Sequence, residues 1–181
     1  SLLIDQLALP KLKENFTKFE DGTINAPDKT DLTENDELNK FMEQTGWTGK
    51  SVFQAGNACQ IGQASESGNL QTPPIDLSGN DGVYTITIQA CKNSMSATKI
   101  LNITVNGERK TLSLTDDMQE YKIIMDNGTQ NTVIAFSVPA SNRAIIKEIT
   151  IHSGDITSNS DNTDDKYPMT INGIQGTSYN V

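Results

Sequence analysis

From residue 51 onward, apolar and polar positions alternate with a period of two. In VYTITIQA (83–90), Tyr84, Ile86, Ile88 and Ala90 fall on one face and Thr85, Thr87 and Gln89 on the other, the mark of a half-buried strand. SVFQA and ACQIGQ read as short strands joined through an Ala-Gly-Asn turn, and KILNITV (99–105) as another. Asn106-Gly107 supplies a two-residue hairpin turn into ERKTLSL, because both residues tolerate the left-handed backbone such turns require. EYKIIM (120–125), a turn at Asp126-Asn127-Gly128, TVIAFSV (132–138) and AIIKEITIH (144–152) follow. Strands at this spacing, joined by Gly/Asn turns, predict an all-β antiparallel β-sandwich or barrel. No strand–helix–strand unit occurs, which excludes a parallel nucleotide-binding sheet.

Before residue 51 the pattern is less regular. Residues 1–14 read as an apolar-then-charged lead-in, and NFTKF as a short first strand. EDGTINAPDKTD (20–31) is loop. TENDELNKFME (33–43) predicts one short helix: Thr33 as cap, Asp36 completing a capping-box-like pair, and Leu38, Phe41 and Met42 as one apolar stripe ended by Gly46. At the other end the main domain is expected to close at residue 155. A Ser-, Thr- and Asp-rich linker (156–168) and a strand pair, MTINGIQGTSYNV (169–181), follow. A linker with nothing to bury should contribute little to stability, so truncation after Asp155 is expected to leave the melting temperature nearly unchanged.

Charge and composition then remove several classes of function. The net charge of −9 argues against nucleic acid as a partner, since that affinity comes largely from Lys and Arg displacing counterions. The longest apolar stretch, SLLIDQLALP, is broken by Asp5 and Gln6 and cannot span a bilayer. The chain opens without an initiator Met and without a basic stretch leading into an apolar one, as a piece of a longer secreted precursor would. The two cysteines, Cys59 and Cys91, take opposite strand parities and are expected to remain unbridged. Together with the lone His152 they are too few for an ordinary structural zinc site. His152 ends its strand on the outward parity, with no serine placed beside it for a triad. Most carboxylates lie in turns, where Asp bonds its own backbone. No reaction is visible, and the chain is read as not an enzyme, with no cofactor required.

One stretch resembles a known family. Gly46-Trp47, Val52 to Gly56, Ile61-Gly62, Thr72-Pro73, Ile75-Asp76-Leu77-Ser78 and Tyr84 to Ala90, followed by ITVNG (103–107) and NRAIIKEITIHSGD (142–155), resemble galactose-binding-domain-like jelly-roll modules. These modules are common in secreted and surface proteins of gut-dwelling Gram-negative bacteria. The resemblance covers roughly residues 15–155, with Lys147-Glu148 standing where the family places a pair of acids. It implies a jelly-roll sandwich, a secreted or cell-surface location and carbohydrate binding or adhesion, with neighbouring domains of the same precursor as partners. MTINGIQGTSYNV resembles the middle of a fibronectin type III domain, the expected start or fragment of a second module.

Two functions from different classes remain open at this stage: a module binding a glycan, and a structural spacer with no ligand of its own. An accessory domain of a secreted hydrolase is a third. Candidate ligand contacts are Asn142, Arg143 and Trp47, with Tyr84 weaker because its parity is inward. An exposed aromatic ring beside Arg143 would favour the binder, and buried rings throughout the spacer. Acid-rich loops suit a hard cation, which makes Glu20, Asp21 and Asp76 the candidates for a structural calcium ion. Trp47, the only tryptophan, is either a stacking platform or core. The gain from burying so large a ring favours the core, with the indole pinning the helix-containing loop onto the sheet.

Overall fold

A computed structural model describes residues 9–96 and 99–157. Its strands are β1 (Leu12–Glu14), β2 (Thr48–Lys50), β3 (Val52–Gln54), β4 (Cys59–Ile61), β5 (Gly68–Gln71), β6 (Tyr84–Lys92), β7 (Ile100–Val105), β8 (Glu108–Ser113), β9 (Gln119–Met125), β10 (Ala135–Val138) and β11 (Ala144–Ser153). One sheet runs β3-β4-β11-β6-β9, with β1 also paired to β11, and the other runs β2-β5-β10-β7-β8. The pairings are antiparallel. The chain crosses repeatedly between the two sheets, which makes this a jelly-roll sandwich; the strand pattern predicted a sandwich or barrel, and the resemblance implied the jelly roll. The inward faces supply a single core that includes Ile61, Ile86, Ile88, Leu101, Ile103, Phe136, Ile149 and Ile151.

β11 organises the first sheet. Residues Ala144–Ile146 pair with β4, and Ile149–Ile151 pair with β1 on the same edge, while β6 lies along the whole length of the other. The register against β6 shifts between Ile146 and Glu148, so Lys147 is the extra residue of a β-bulge. The bulge lets Ile146 and Ile149, three apart, both face the core, which a regular strand could not do.

Two expectations change. The first strand is β1, within the segment read as lead-in, and NFTKF is not a strand. Phe16 has a positive φ of 55°, its N–H donates to Glu14 Oε2 at 2.8 Å, and Phe16 and Phe19 stack edge-on with centroids 5.1 Å apart. The helix expected over 33–43 is reduced to a 3-10 turn at Leu38–Phe41. Asn35 and Asp36 have φ of 58° and 57°, which no right-handed helix accommodates. Asp31 rather than Thr33 ties down the segment, its Oδ1 accepting from Thr33 N (2.9 Å), Thr33 Oγ1 (2.7 Å) and Val52 N (3.2 Å). The apolar stripe still works: Leu38 and Met42 are buried and Phe41 packs on the core. Beyond Asp155, the Ile156 N–H donates to the buried Thr85 Oγ1 at 3.1 Å. Most of the linker and all of the strand pair at 169–181, with its fibronectin-like resemblance, lie outside the described residues.

Cys59 lies in the inter-sheet core and Cys91 in a separate cluster on the outer face of the first sheet, and both are free. The parity argument placed them correctly.

Candidate functional site

The outer face of the first sheet is not simply polar. Strand registers place Phe53 opposite Gln60, Gln60 opposite Ile145, and Ile145 opposite Cys91, one row running across four strands. Ile145 and Cys91 cluster there with Ala55 and Ala58, and Ile24 and Met118 pack over them. Burial pushes the Cys91 thiol pKa up, helped by Asp117 and Asp116, so the thiol is inert at neutral pH.

Where the row meets loop 25–29 a groove of about 480 Å³ opens. Phe53 and Gln60 form its floor, Asn25 to Lys29 one wall, and Asn93, Met95 and Arg143 the other, with Gln63 and Ala64 at the rim. A second cavity of about 330 Å³, lined by Ile24, Asn25, Lys92, Ser94 and Asp116, shares Asn25 with it. The floor is held in place by amide bonds: Asn93 Nδ2 donates to Gln60 Oε1 at 2.7 Å, and Gln60 Nε2 to Gly62 O at 3.1 Å.

Arg143 is fixed at both ends. Its backbone N–H donates to Ser96 Oγ at 3.1 Å, and its Nη1 to Met95 O at 3.1 Å. The 93–96 turn is itself closed by Ser96 N on Asn93 O (3.0 Å) and Met95 N on Asn93 Oδ1 (2.7 Å). Among the described residues neither Arg143 nor Lys29 forms an ion pair. Asp28 is the one carboxylate in the walls, and its Oδ2 accepts from Thr30 N at 3.2 Å.

The other sequence candidates are dispersed. Asn142 is buried next to Arg143 and does not line the groove; its Nδ2 donates to Ala140 O at 3.2 Å, and its Oδ1 accepts from Ser96 Oγ at 3.4 Å. Trp47 is 2% exposed, within the core cluster, as its size argued. Its backbone is gripped by Asn39, whose Oδ1 accepts from Trp47 N at 3.0 Å and whose Nδ2 donates to Trp47 O at 2.9 Å. The indole Nε1 is buried without a partner, and the ring offers no exposed stacking face. Tyr84 is fully buried, its hydroxyl donating to Asn127 Oδ1 at 2.7 Å, and burial raises its pKa. Glu20 and Asp21 are exposed on their loop. Asp76 turns its Oδ1 onto Ser78, accepting from Oγ at 2.6 Å and from N at 3.1 Å, bonds that lower its pKa. Among the described residues no group of three or more His, Cys, Asp or Glu stands together as a ligand set for a metal ion. His152 is half-buried at the far end of β11 from Arg143, roughly 30 Å away at strand spacing.

Phe53, Gln60, Asn93, Asn25 and Lys29 escaped the sequence reading. The available signal was Phe53 and Gln60 on outward parity in strands too apolar to have a wholly solvated outer face.

Similar solved structures include carbohydrate-binding modules and a family two carbohydrate esterase from Cellvibrio japonicus. The CBM22-1 xylan-binding domain of Xyn10C from Paenibacillus barcinonensis is 17% identical, with 81% of this chain and 97% of that one covered at a TM-score of 0.47. A CBM35 from Paenibacillus barcinonensis is 14% identical, covering 61% and 94% at 0.45. A family 29 carbohydrate-binding module is 19% identical, covering 60% and 82% at 0.44. No protein-family model matches the chain, and no curated protein matches it. Among the described residues, no helix is long and apolar enough to cross a membrane.

Proposed function

We propose that the chain is a non-catalytic carbohydrate-binding module and that the groove over Phe53 and Gln60 is its binding site. The observation that carries this is the composition of the groove: fixed amides, a positioned guanidinium and an apolar floor in one open cleft. Sugar hydroxyls both donate and accept, and planar amide and guanidinium groups match adjacent hydroxyl pairs. Glycoside hydrolysis ordinarily needs two carboxyl groups facing across the bond, and this cleft has Asp28 alone. The reading places the module outside the cell, in a longer protein whose other domains supply any chemistry. A glycan array probed with the 181-residue chain tests it: binding abolished by Gln60→Ala or Asn93→Ala in a folded protein is the expected result, and no binding to any glycan overturns it.

A spacer reading is favoured by one specific observation. None of the aromatic rings among the described residues is exposed, Phe53 included at 6%, so stacking on an exposed ring contributes nothing here. The same array separates the two readings, since a spacer binds none of the glycans.

A further inference from the structure

The charges of the groove run against those of the molecule. The chain carries a net charge of −9, yet two cations, Lys29 and Arg143, face the cleft against a single carboxylate, Asp28. Arg143 is the positioned one. It is half-buried, its backbone is clamped to the 93–96 turn, and an Nη1 bond to Met95 O at 3.1 Å ties its guanidinium to the same turn. That bond uses one N–H; the others meet no carboxylate among the described residues. A guanidinium held this way presents a fork whose geometry matches a carboxylate. A purely neutral glycan would cost a half-buried cation some of its hydration and return only neutral acceptors. Lys29, exposed on the opposite wall, adds a second positive charge without geometric demand. Asp28, whose Oδ2 accepts from the Thr30 N–H at 3.2 Å, opposes both as the one carboxylate lining the cleft.

We infer that the groove takes an acidic glycan, one carrying a uronic acid whose carboxylate is forked by Arg143 and drawn in by Lys29. This rests on the carbohydrate-binding reading and narrows it. The carboxylate, rather than the sugar hydroxyls, then sets the affinity, and binding weakens with ionic strength.

The test uses the 181-residue chain on an array of neutral, uronic-acid-bearing and sulfated oligosaccharides. Calorimetry on the best uronate and its carboxyl-reduced counterpart follows. Expected is a uronate preference of about 10- to 100-fold over the reduced sugar, the scale of a hydrogen bond to a charged group. Arg143→Gln should remove that preference and Arg143→Lys restore only part of it. Asp28→Asn should raise uronate affinity, and Lys29→Gln should flatten the salt dependence. Near-ultraviolet circular dichroism reports whether each variant is folded. Equal binding of uronate and reduced sugar, or a uronate preference intact in a folded Arg143→Gln protein, overturns the inference and leaves the carbohydrate-binding reading standing. Preference for sulfated over uronate sugars also overturns it. Failure to bind any glycan overturns both.

Discussion

Two buried side chains show how single residues hold this sandwich. Trp47 fills core volume, and Asn39 grips its backbone as a neighbouring strand would. Trp47→Ala is expected to cost about 3–5 kcal/mol, the usual loss for a core aromatic, read from urea midpoints. Trp47→Phe should cost less than the alanine change, since the indole N–H has no partner to lose. Iodide should scarcely quench the folded protein's tryptophan emission. Glu14 is a carboxylate at 1% exposure whose Oε2 and Oε1 accept from Phe16 N and Glu43 N, both at 2.8 Å. Burial raises its pKa, and the two backbone bonds pull it back only in part. A raised carboxylate pKa means that the folded state binds the proton more tightly than the unfolded chain does. The contribution of Glu14 to stability is therefore greatest below the unfolded value of about 4.3 and declines as pH rises through the folded one. Glu14→Gln keeps one acceptor and loses the other, an expected cost of about 1–3 kcal/mol. Subtracting the variant's stability-versus-pH curve from that of the native protein should give a difference that falls from pH 4 toward neutrality. A flat difference would mean that the pKa of Glu14 is not raised.

Glycines at element ends separate backbone conformation from space. Gly107 closes the β7–β8 hairpin at a φ of 83°, and nothing lies within 4 Å of where a Cβ would stand. Gly107→Ala should cost about 1 kcal/mol, the strain of a positive φ alone. Gly62, at a φ of 94°, follows β4, and a Cβ there would collide with Asn142 O and Val138. Gly62→Ala should cost several times as much, and it would push on the segment that carries Arg143. Thermal unfolding of the two variants side by side checks the ratio. The same scale explains what the sequence made legible. Tyr84–Lys92, Ile100–Val105 and the Asn106-Gly107 turn were readable because alternation and turn chemistry agree over many residues. Thr48–Lys50 and Gly68–Gln71 were not, being only three and four residues long, each with a glycine. The helix expected over 33–43 had its apolar period right and its backbone wrong, because left-handed Asn35 and Asp36 leave no trace in a hydrophobic pattern. In β11, simple alternation breaks at Lys147, and only the pairing register reveals the bulge.

At the scale of the molecule, the groove was the least legible feature, because separate segments around residues 25–29, 53, 60–64, 93–95 and 143 build it. Arg143 could be picked out from the family resemblance, but the floor beneath it exists only once four strands are in register. The described strands lie between Leu12 and Ser153, and the Ile156 N–H caps the buried Thr85 hydroxyl. Removing residues 158–181 should leave the melting temperature within about 2 °C. Ending the chain at Asp155 should lower it by roughly 2–4 °C, the effect of losing about one hydrogen bond in a domain of this size. Scanning calorimetry of the two truncations decides, and equal melting temperatures would show that Ile156 contributes nothing. The place of β11 has a consequence for synthesis. It is the last described strand to leave the ribosome, yet β1, β4 and β6 all pair with it, Leu12 with Ile151 among them. Until it emerges, the first sheet has a gap through its middle, and the nascent chain must keep the unpaired edges of β4 and β6 from other chains. The first sheet of this sandwich is therefore completed only once β11 has been made.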